Sequence, residues 1–298
     1  MKRCLLIAAA LSAAGCVTER DVCDPVVELG FVPAVYGSVR AAGERAEGLP
    51  FRVSAWSLPA DARWSAERNV AEEFLAGELV AQSGGIWRPS EPRNWPGRTL
   101  RLSFMGYAPS DAGARCDKND GVVFADVDTA AEQPDLLFTE PLTDVSKFSN
   151  GGIVPMAFRH ALCEVAFRVH RLNAGGGEIV LRRIVVESLH CRGCFASLAS
   201  PQWRFVGEPA PQVFFDGEFA VPSSIRSAGE SRRVIPQRLG CRVFVEFDYV
   251  NAFGGVISQR LSTIPLDILF EAGRRYVCTL TLAPDDVKFL HETMELDI

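Results

Sequence analysis

Apolar and polar residues alternate with a period of two along much of this chain. In "CRVFVEFDYV" (241–250), Cys241, Val243, Val245, Phe247 and Tyr249 share one face, while Arg242, Glu246 and Asp248 take the other. "LCEVAFRVH" (162–170) repeats the pattern, with Cys163, Val165, Phe167 and Val169 opposed to Glu164, Ala166, Arg168 and His170. "RYVCTLTLA" (275–283) does the same through Tyr276, Cys278, Leu280 and Leu282. Such alternation predicts antiparallel strands buried on one face. "EIVLRRIVVESL", "PFRVSAWS", "TLRLSFMGY" and "VVELGF" fit the same template, with Gly, Pro, Asn and Asp gathered between them. A helical spacing of apolar residues occurs at 62–79, through Trp64, Val70, Phe74, Leu75 and Leu79, and predicts a helix or a surface loop. Many strands and few helices predict an all-β protein of stacked sandwiches. The polar stretch "PLTDVSKFSNGG" (141–152) is the expected boundary, dividing the chain into units 16–150 and 151–298.

The first fifteen residues read differently. Lys2 and Arg3 precede an apolar run from Leu5 to Ala14 that is too short to span a bilayer and fits a secretory leader. It ends in Ala13-Ala14-Gly15-Cys16, which resembles a bacterial lipobox. Residues 1–15 are then a signal peptide, and Cys16 is the lipidated mature N-terminus. The alternative is an ordinary signal peptide cut near Gly15, with Cys16 incidental.

Composition narrows the function classes. The 298 residues carry a formal charge of −6. No basic run exists, so no nucleic-acid footprint is expected. No nucleophile elbow, Walker lysine or dinucleotide fingerprint is present. "HETME" (291–295) lacks the second histidine of a zinc-protease helix. "CDKNDGVVFADVD" (116–128) places Gly121 one position early for a calcium loop, so Asn119-Asp120-Gly121 reads as a turn. These readings point to no enzyme, no metal and no cofactor.

"HCRGC" (190–194) is the most chemical-looking motif. A redox pair would need a helix N-terminus, and zinc would need a second ligand pair. Flanked by strands, Arg192-Gly193 reads as a turn, with Cys191 and Cys194 either unpaired or closing a small disulfide. Without Cys4 and Cys16 the chain retains Cys23, Cys116, Cys163, Cys191, Cys194, Cys241 and Cys278, an odd number. Cysteines on apolar strand faces act as small hydrophobes. Five tryptophans are candidate stacking platforms for a glycan, Trp87 and Trp95 being the pair to test, while Trp56 and Trp203 could equally be core.

Ordered pieces of the chain together resemble the Bacteroidetes-type fimbrillins, especially the Mfa-like lipoproteins. Arg40-Ala41 precedes a strand carrying Phe51, Val53, Ala55 and Trp56. A Trp/Pro segment (Trp87, Trp95, Pro96) leads to Phe104, Tyr107, Ala108 and Pro109. "DLLFTE" (135–140) follows, then Phe158, His160, Ala161 and Leu162 on F-x-H-A-L. Ile235-Pro236-Gln237 and the pair Gly273 and Tyr276 complete the series. The tail "DDVKFLHETMELDI" departs from relatives that end in a strand closing with Trp.

The resemblance implies two transthyretin-like (immunoglobulin-like) antiparallel β-sandwich domains in tandem. It implies export as a lipoprotein to the outer membrane and the fimbrium, in partnership with lipoprotein-processing machinery, an arginine-directed protease and other fimbrial subunits. The removable segment would be 16–40, cut after Arg40 so that Ala41 becomes the new N-terminus, with Arg45 a second site. The other reading of Arg40 and Arg45 is two solvated loop arginines. The functional expectation is a fimbrial subunit or accessory adhesin assembled by strand complementation. The alternatives are an untrimmed lipid-anchored accessory protein and a glycan-binding surface lipoprotein. His160, between apolar residues, is expected to be buried with its ring hydrogen-bonded.

Overall fold

A computed structural model describes residues 24–35, 49–131, 135–172, 177–198 and 201–296. The first half contains β1 (Gly30–Val35), β2 (Phe51–Pro59), β3 (Glu72–Ser83), β4 (Ile86–Pro89) and β5 (Leu100–Ala108). It continues through β6 (Arg115–Asp117), β7 (Gly121–Asp128), β8 (Leu137–Thr139), β9 (Leu142–Val145) and β10 (Ile153–His160). One sheet runs β2-β3-β4-β1-β10-β8-β5, with β9 added beside β5. Because β5 also pairs with β2 along Arg52–Pro59, the sheet closes on itself as a ring. Neighbours are antiparallel except β1 and β10, which run parallel.

The inside of the ring is filled by Phe31, Phe51, Leu102, Phe104, Val154, Met156 and Phe158. The alternate residues of β2 and β5, Trp56, Leu58, Met105 and Tyr107, point outward onto Phe124, Phe138 and Phe195. Both faces of β2 and β5 are therefore buried, which accounts for their nearly continuous apolar runs.

The expected helix at 62–79 is confined to Trp64–Glu67 and a following 3-10 turn, Arg68–Val70. From Glu72 onward the chain is β3, paired with both β2 and β4. Gly77 has φ +64°, and the β2–β3 register slips twice nearby, so Leu75 and Val80 both point inward although five residues apart. A bulge of this kind converts a strand's period into a spacing that mimics a helix.

The second half contains β11 (Cys163–Arg171), β12 (Glu178–Leu189), β13 (Arg192–Ala196), β14 (Gln202–Phe205) and β15 (Ala210–Ala220). Short strands follow: β16 (Arg226–Ser227), β17 (Arg232–Val234) and β18 (Arg238–Leu239). The last are β19 (Val243–Val250), β20 (Val256–Ser262), β21 (Ile268–Leu269), β22 (Arg274–Ala283) and β23 (Asp286–Glu295). Sheet β15-β12-β19-β20 faces a sheet in which β11 pairs with β16, β17 and, in parallel, β22, which in turn pairs with β23. Val165, Phe167, Ile184, Val245, Phe247 and Leu280 meet between them. The departing tail is thus a strand, β23, paired with β22 along its whole length. His291 sits opposite Cys278 in that ladder, not on a helix.

Two features cross residue 150. β10 completes the ring, and β13 and β14 join β7 and β6 in a separate four-stranded sheet. The buried cluster inside the ring draws on residues 29–158, and that of the second sandwich on 163–287. Ion pairs link the two. The His160 ring Nδ1 lies 2.8 Å from Asp135, Asp135 pairs with Arg233 at 3.1 Å, and Arg233 pairs with Glu164 at 2.9 Å. His160 is buried, as its setting predicted.

Candidate functional site

The most distinctive arrangement is the seating of β1. Leu29, just ahead of this strand, and Phe31 and Pro33 within it face inward, whereas Val32 and Ala34 are exposed. The Phe31 ring stands edge-on to Phe51 and Phe104, each 6.0 Å away. Phe51 in turn packs on Trp87 and Phe158, and Trp95 packs edge-on to Phe104. Full burial of Leu29 and Phe31 is worth about 1.5–3 kcal/mol for each side chain. On one edge β1 pairs with β10 from Gly30–Ile153 to Val35–Phe158, and on the other Phe31 pairs with Trp87 of β4. Pro33 lies past that last pair, where a missing N–H breaks no bond to β4.

The residues ahead of β1 are tied down as well. The Leu29 amide donates to the Arg93 carbonyl and the Trp95 amide to the Val27 carbonyl, both at 2.8 Å. The Trp95 indole N–H donates to the Gly152 carbonyl at 2.8 Å. Gly152 has φ +85°, and a Cβ there would sit 2.3 Å from Val27 Cγ1. Only glycine satisfies both demands.

Asp24 begins the described segment. Its carboxylate forms an ion pair with Lys147 and accepts from the Arg98 amide at 3.0 Å. The Lys147 ammonium also donates to the Pro25 carbonyl at 3.2 Å. The Lys147 side chain is only 4% exposed, an unusual setting for a lysine. The Lys147 hydrogen bond, opposed by desolvation, holds the Asp24 carboxyl below its ordinary range. The segment expected to form a polar boundary is thus partly buried against the N-terminal strand.

The sequence of residues 40–295 matches the model of a fimbrillin-like family. This chain belongs to that family. The fold agrees. A fimbrial protein from Bacteroides vulgatus superposes with TM-score 0.70 at 16% identity, covering 89% of this chain and 99% of that one. Candidate cell adhesion proteins from Bacteroides ovatus (TM-score 0.59, 14% identity, 92% and 99% covered) and Bacteroides uniformis (0.55, 13%, 91% and 98%) are also similar. At these identities the likeness speaks to fold alone. No curated protein sequence matches the chain.

In this fimbrillin-like chain several family-motif residues serve the fold. Gln237 accepts from the His190 amide at 2.9 Å and donates to the His190 carbonyl at 2.9 Å, fixing the corner between β12 and β13. The Tyr276 hydroxyl donates to the Leu269 carbonyl at 2.7 Å and accepts from the Glu271 amide at 2.9 Å. Asp117 accepts from the amides of Asn119 and Asp120, and Gly121 has φ +80°, so "KNDG" is the turn its residues predicted.

Cys16, Arg40, Ala41 and Arg45 lie outside the described residues. Cys191 and Cys194 lie within them, and both are free thiols. Arg192-Gly193 is not a turn. It opens β13, with Gly193 paired to Val127 and Phe205, and the corner falls at His190-Cys191. The two thiols have separate partners, Cys194 donating to the Ala125 carbonyl at 2.7 Å and Cys191 lying 3.9 Å from the Leu189 carbonyl. A Cβ on Gly193 would lie 3.0 Å from the Arg204 carbonyl oxygen, so the glycine reflects close strand packing.

The stacking-platform reading of Trp87 and Trp95 is overturned. Both are buried, as are Trp56 and Trp64, and Trp203 packs on Phe195 with its indole N–H bonded to the Ala161 carbonyl. Instead of meeting a glycan, Trp87 and Trp95 line the slot of β1. Among the described residues, no group of three His, Cys, Asp or Glu side chains could hold a metal ion. Sequence reasoning missed Lys147 and Gly152, because their partners lie far off in the chain, 57 residues for Gly152 with Trp95 and 122 for Lys147 with Pro25, and no local pattern marks them.

Proposed function

We propose that this fimbrillin-like chain is a fimbrial subunit or accessory adhesin, exported as a lipoprotein on Cys16 and assembled by strand complementation. The observation that carries the reading is the seat of β1 between β4 and β10. Loss of that strand would leave two unpaired backbone edges above an apolar floor of Phe51, Trp87, Phe104 and Phe158. An extended segment from another subunit satisfies both the edges and the floor. Arg40 and Arg45 follow the end of β1 by five and ten residues, in the connection to β2, where a cut would separate strand from ring. The partners on this reading are other fimbrial subunits, an arginine-directed protease and the outer membrane through the lipid.

Mass spectrometry of N-termini in surface material tests it. A trimmed subunit carries Ala41 or Ala46 at its mature N-terminus and forms SDS-resistant ladders. Acylated Cys16 alone, with no trimmed form, overturns polymerisation through this slot and supports the second reading, an untrimmed lipid-anchored accessory protein. The observation favouring that second reading is that the chain's own β1 already completes the ring.

A further inference from the structure

Lys147 is buried, and among the described residues the polar groups that meet its ammonium both belong to the N-terminal segment, the Asp24 carboxylate and the Pro25 carbonyl. The face of Phe148 adds a cation–π contact at 5.4 Å. Arg98 contributes a second positive group, with its amide 3.0 Å and its guanidinium Nε 3.5 Å from the Asp24 carboxylate. Departure of the segment would therefore strip a buried cation, Lys147, of its counter-charge. An incoming strand with apolar anchors alone would fill the places of Leu29 and Phe31 but cover Lys147 without neutralising it, and a covered, unpaired charge opposes binding.

We propose that the slot selects its strand by charge as well as by shape. It takes an extended peptide with an Asp or Glu five residues ahead of the first buried apolar side chain, and with apolar residues at alternate positions from there. In the chain's own strand these are Asp24, then Leu29, Phe31 and Pro33. The inference rests on the strand-replacement reading above and adds the partner's sequence requirement. The pairing sets register too, because a slip of one residue would turn the anchors outward and also move the carboxylate off Lys147.

The test uses the full chain with a single-site protease sequence introduced between residues 36 and 48, nicked so that residues up to the cut stay bound without a covalent link. Synthetic peptides spanning 24–35 then compete for the slot, as wild type, Asp24→Asn and Asp24→Lys. We expect Asp24→Asn to displace the resident segment about tenfold less well or worse, and Asp24→Lys more weakly still. In Lys147→Met protein the preference for Asp over Asn disappears, while Lys147→Arg retains it. Circular dichroism establishes that each variant is folded. Should Lys147→Met not fold, Lys147→Gln, which removes the charge but keeps a polar side chain, carries the same test. Equal displacement by the Asp and Asn peptides from wild-type protein overturns the charge requirement and leaves strand replacement standing. Failure of every peptide to displace the nicked segment overturns both.

Discussion

Trp95 joins the N-terminal segment to the turn before β10: its indole N–H donates to the Gly152 carbonyl and its amide to the Val27 carbonyl, each at 2.8 Å. Trp95→Phe keeps an aromatic ring against Phe104 but leaves the Gly152 carbonyl without its buried donor. The expected cost is about 1–3 kcal/mol in urea unfolding of the full chain. Amide exchange at Leu29, whose N–H bonds to the Arg93 carbonyl, should quicken more than exchange in β19. Unchanged exchange at Leu29 would show that Trp95 does not hold this segment.

Gly152 provides a sharper probe of the same contact. Gly151 and Gly152 both have positive φ, at +65° and +85°, so alanine strains either position. Strain of this kind is worth about 1–3 kcal/mol. A Cβ on Gly151 meets nothing within 4 Å, whereas one on Gly152 meets Val27 at 2.3 Å. Gly152→Ala should therefore be the more destabilising and should loosen residues 24–29 to proteolysis, while Gly151→Ala leaves them protected. Equal effects would mean that backbone strain alone matters here.

Adjacent residues of β1 should differ by kilocalories. Phe31 is fully buried between Phe51 and Phe104, and Val32 beside it is 46% exposed. Phe31→Ala should cost about 3–5 kcal/mol in urea unfolding. Val32→Ala should stay within ~0.5 kcal/mol. A reversed order would mean that β1 sits in the slot one residue out of this register.

These contrasts also explain what a reader of the sequence could see. β11, β19 and β22 were legible because each buries one face without interruption, so the alternation of Val165, Phe167 and Val169 survives in the text, whereas in β12 the buried face shifts between Leu181 and Ile184. β3 was not, because the bulge around Gly77 brings Leu75 and Val80 to the same side and breaks the period. Two family-motif residues hold corners of the second sandwich, Gln237 by bonding the His190 backbone and Tyr276 by bonding Leu269 and Glu271, whereas no motif announced that the first sheet closes into a ring. The slot was only half legible. "VVELGF" marked a strand close to its position, but the strand proper is Gly30–Val35, shifted toward the C-terminus. Lys147 reads as a solvated charge and Gly152 as a linker glycine until the chain brings Asp24 and Val27 against them. Nothing local records a partner 123 residues away.

The buried thiols give a pH signature that the first three tests do not touch. Desolvation pushes Cys116 and Cys278 up from 9.0 to about 12, and Cys163 higher again. Cys163 also donates its S–H to the Val234 carbonyl at 3.2 Å, a bond that the thiolate cannot make. In the unfolded chain these thiols titrate near 9, so between about pH 9 and pH 12 the unfolded state has lost protons that the folded state retains. Their contribution is fully present below pH ~9 and is lost as pH rises toward 12, at about 1.4 kcal/mol per pH unit for each thiol. Burial raises Tyr107 and Tyr276 as well, which adds a loss of the same sign above about pH 10. Wild type and Cys278→Ala compared by urea unfolding at pH 8, 9, 9.5 and 10 separate the two sources. The variant starts lower because of its cavity, but its stability should fall less steeply. Parallel curves would mean that Cys278 ionises in the folded protein and that β22 is wetter than its packing against β11 requires.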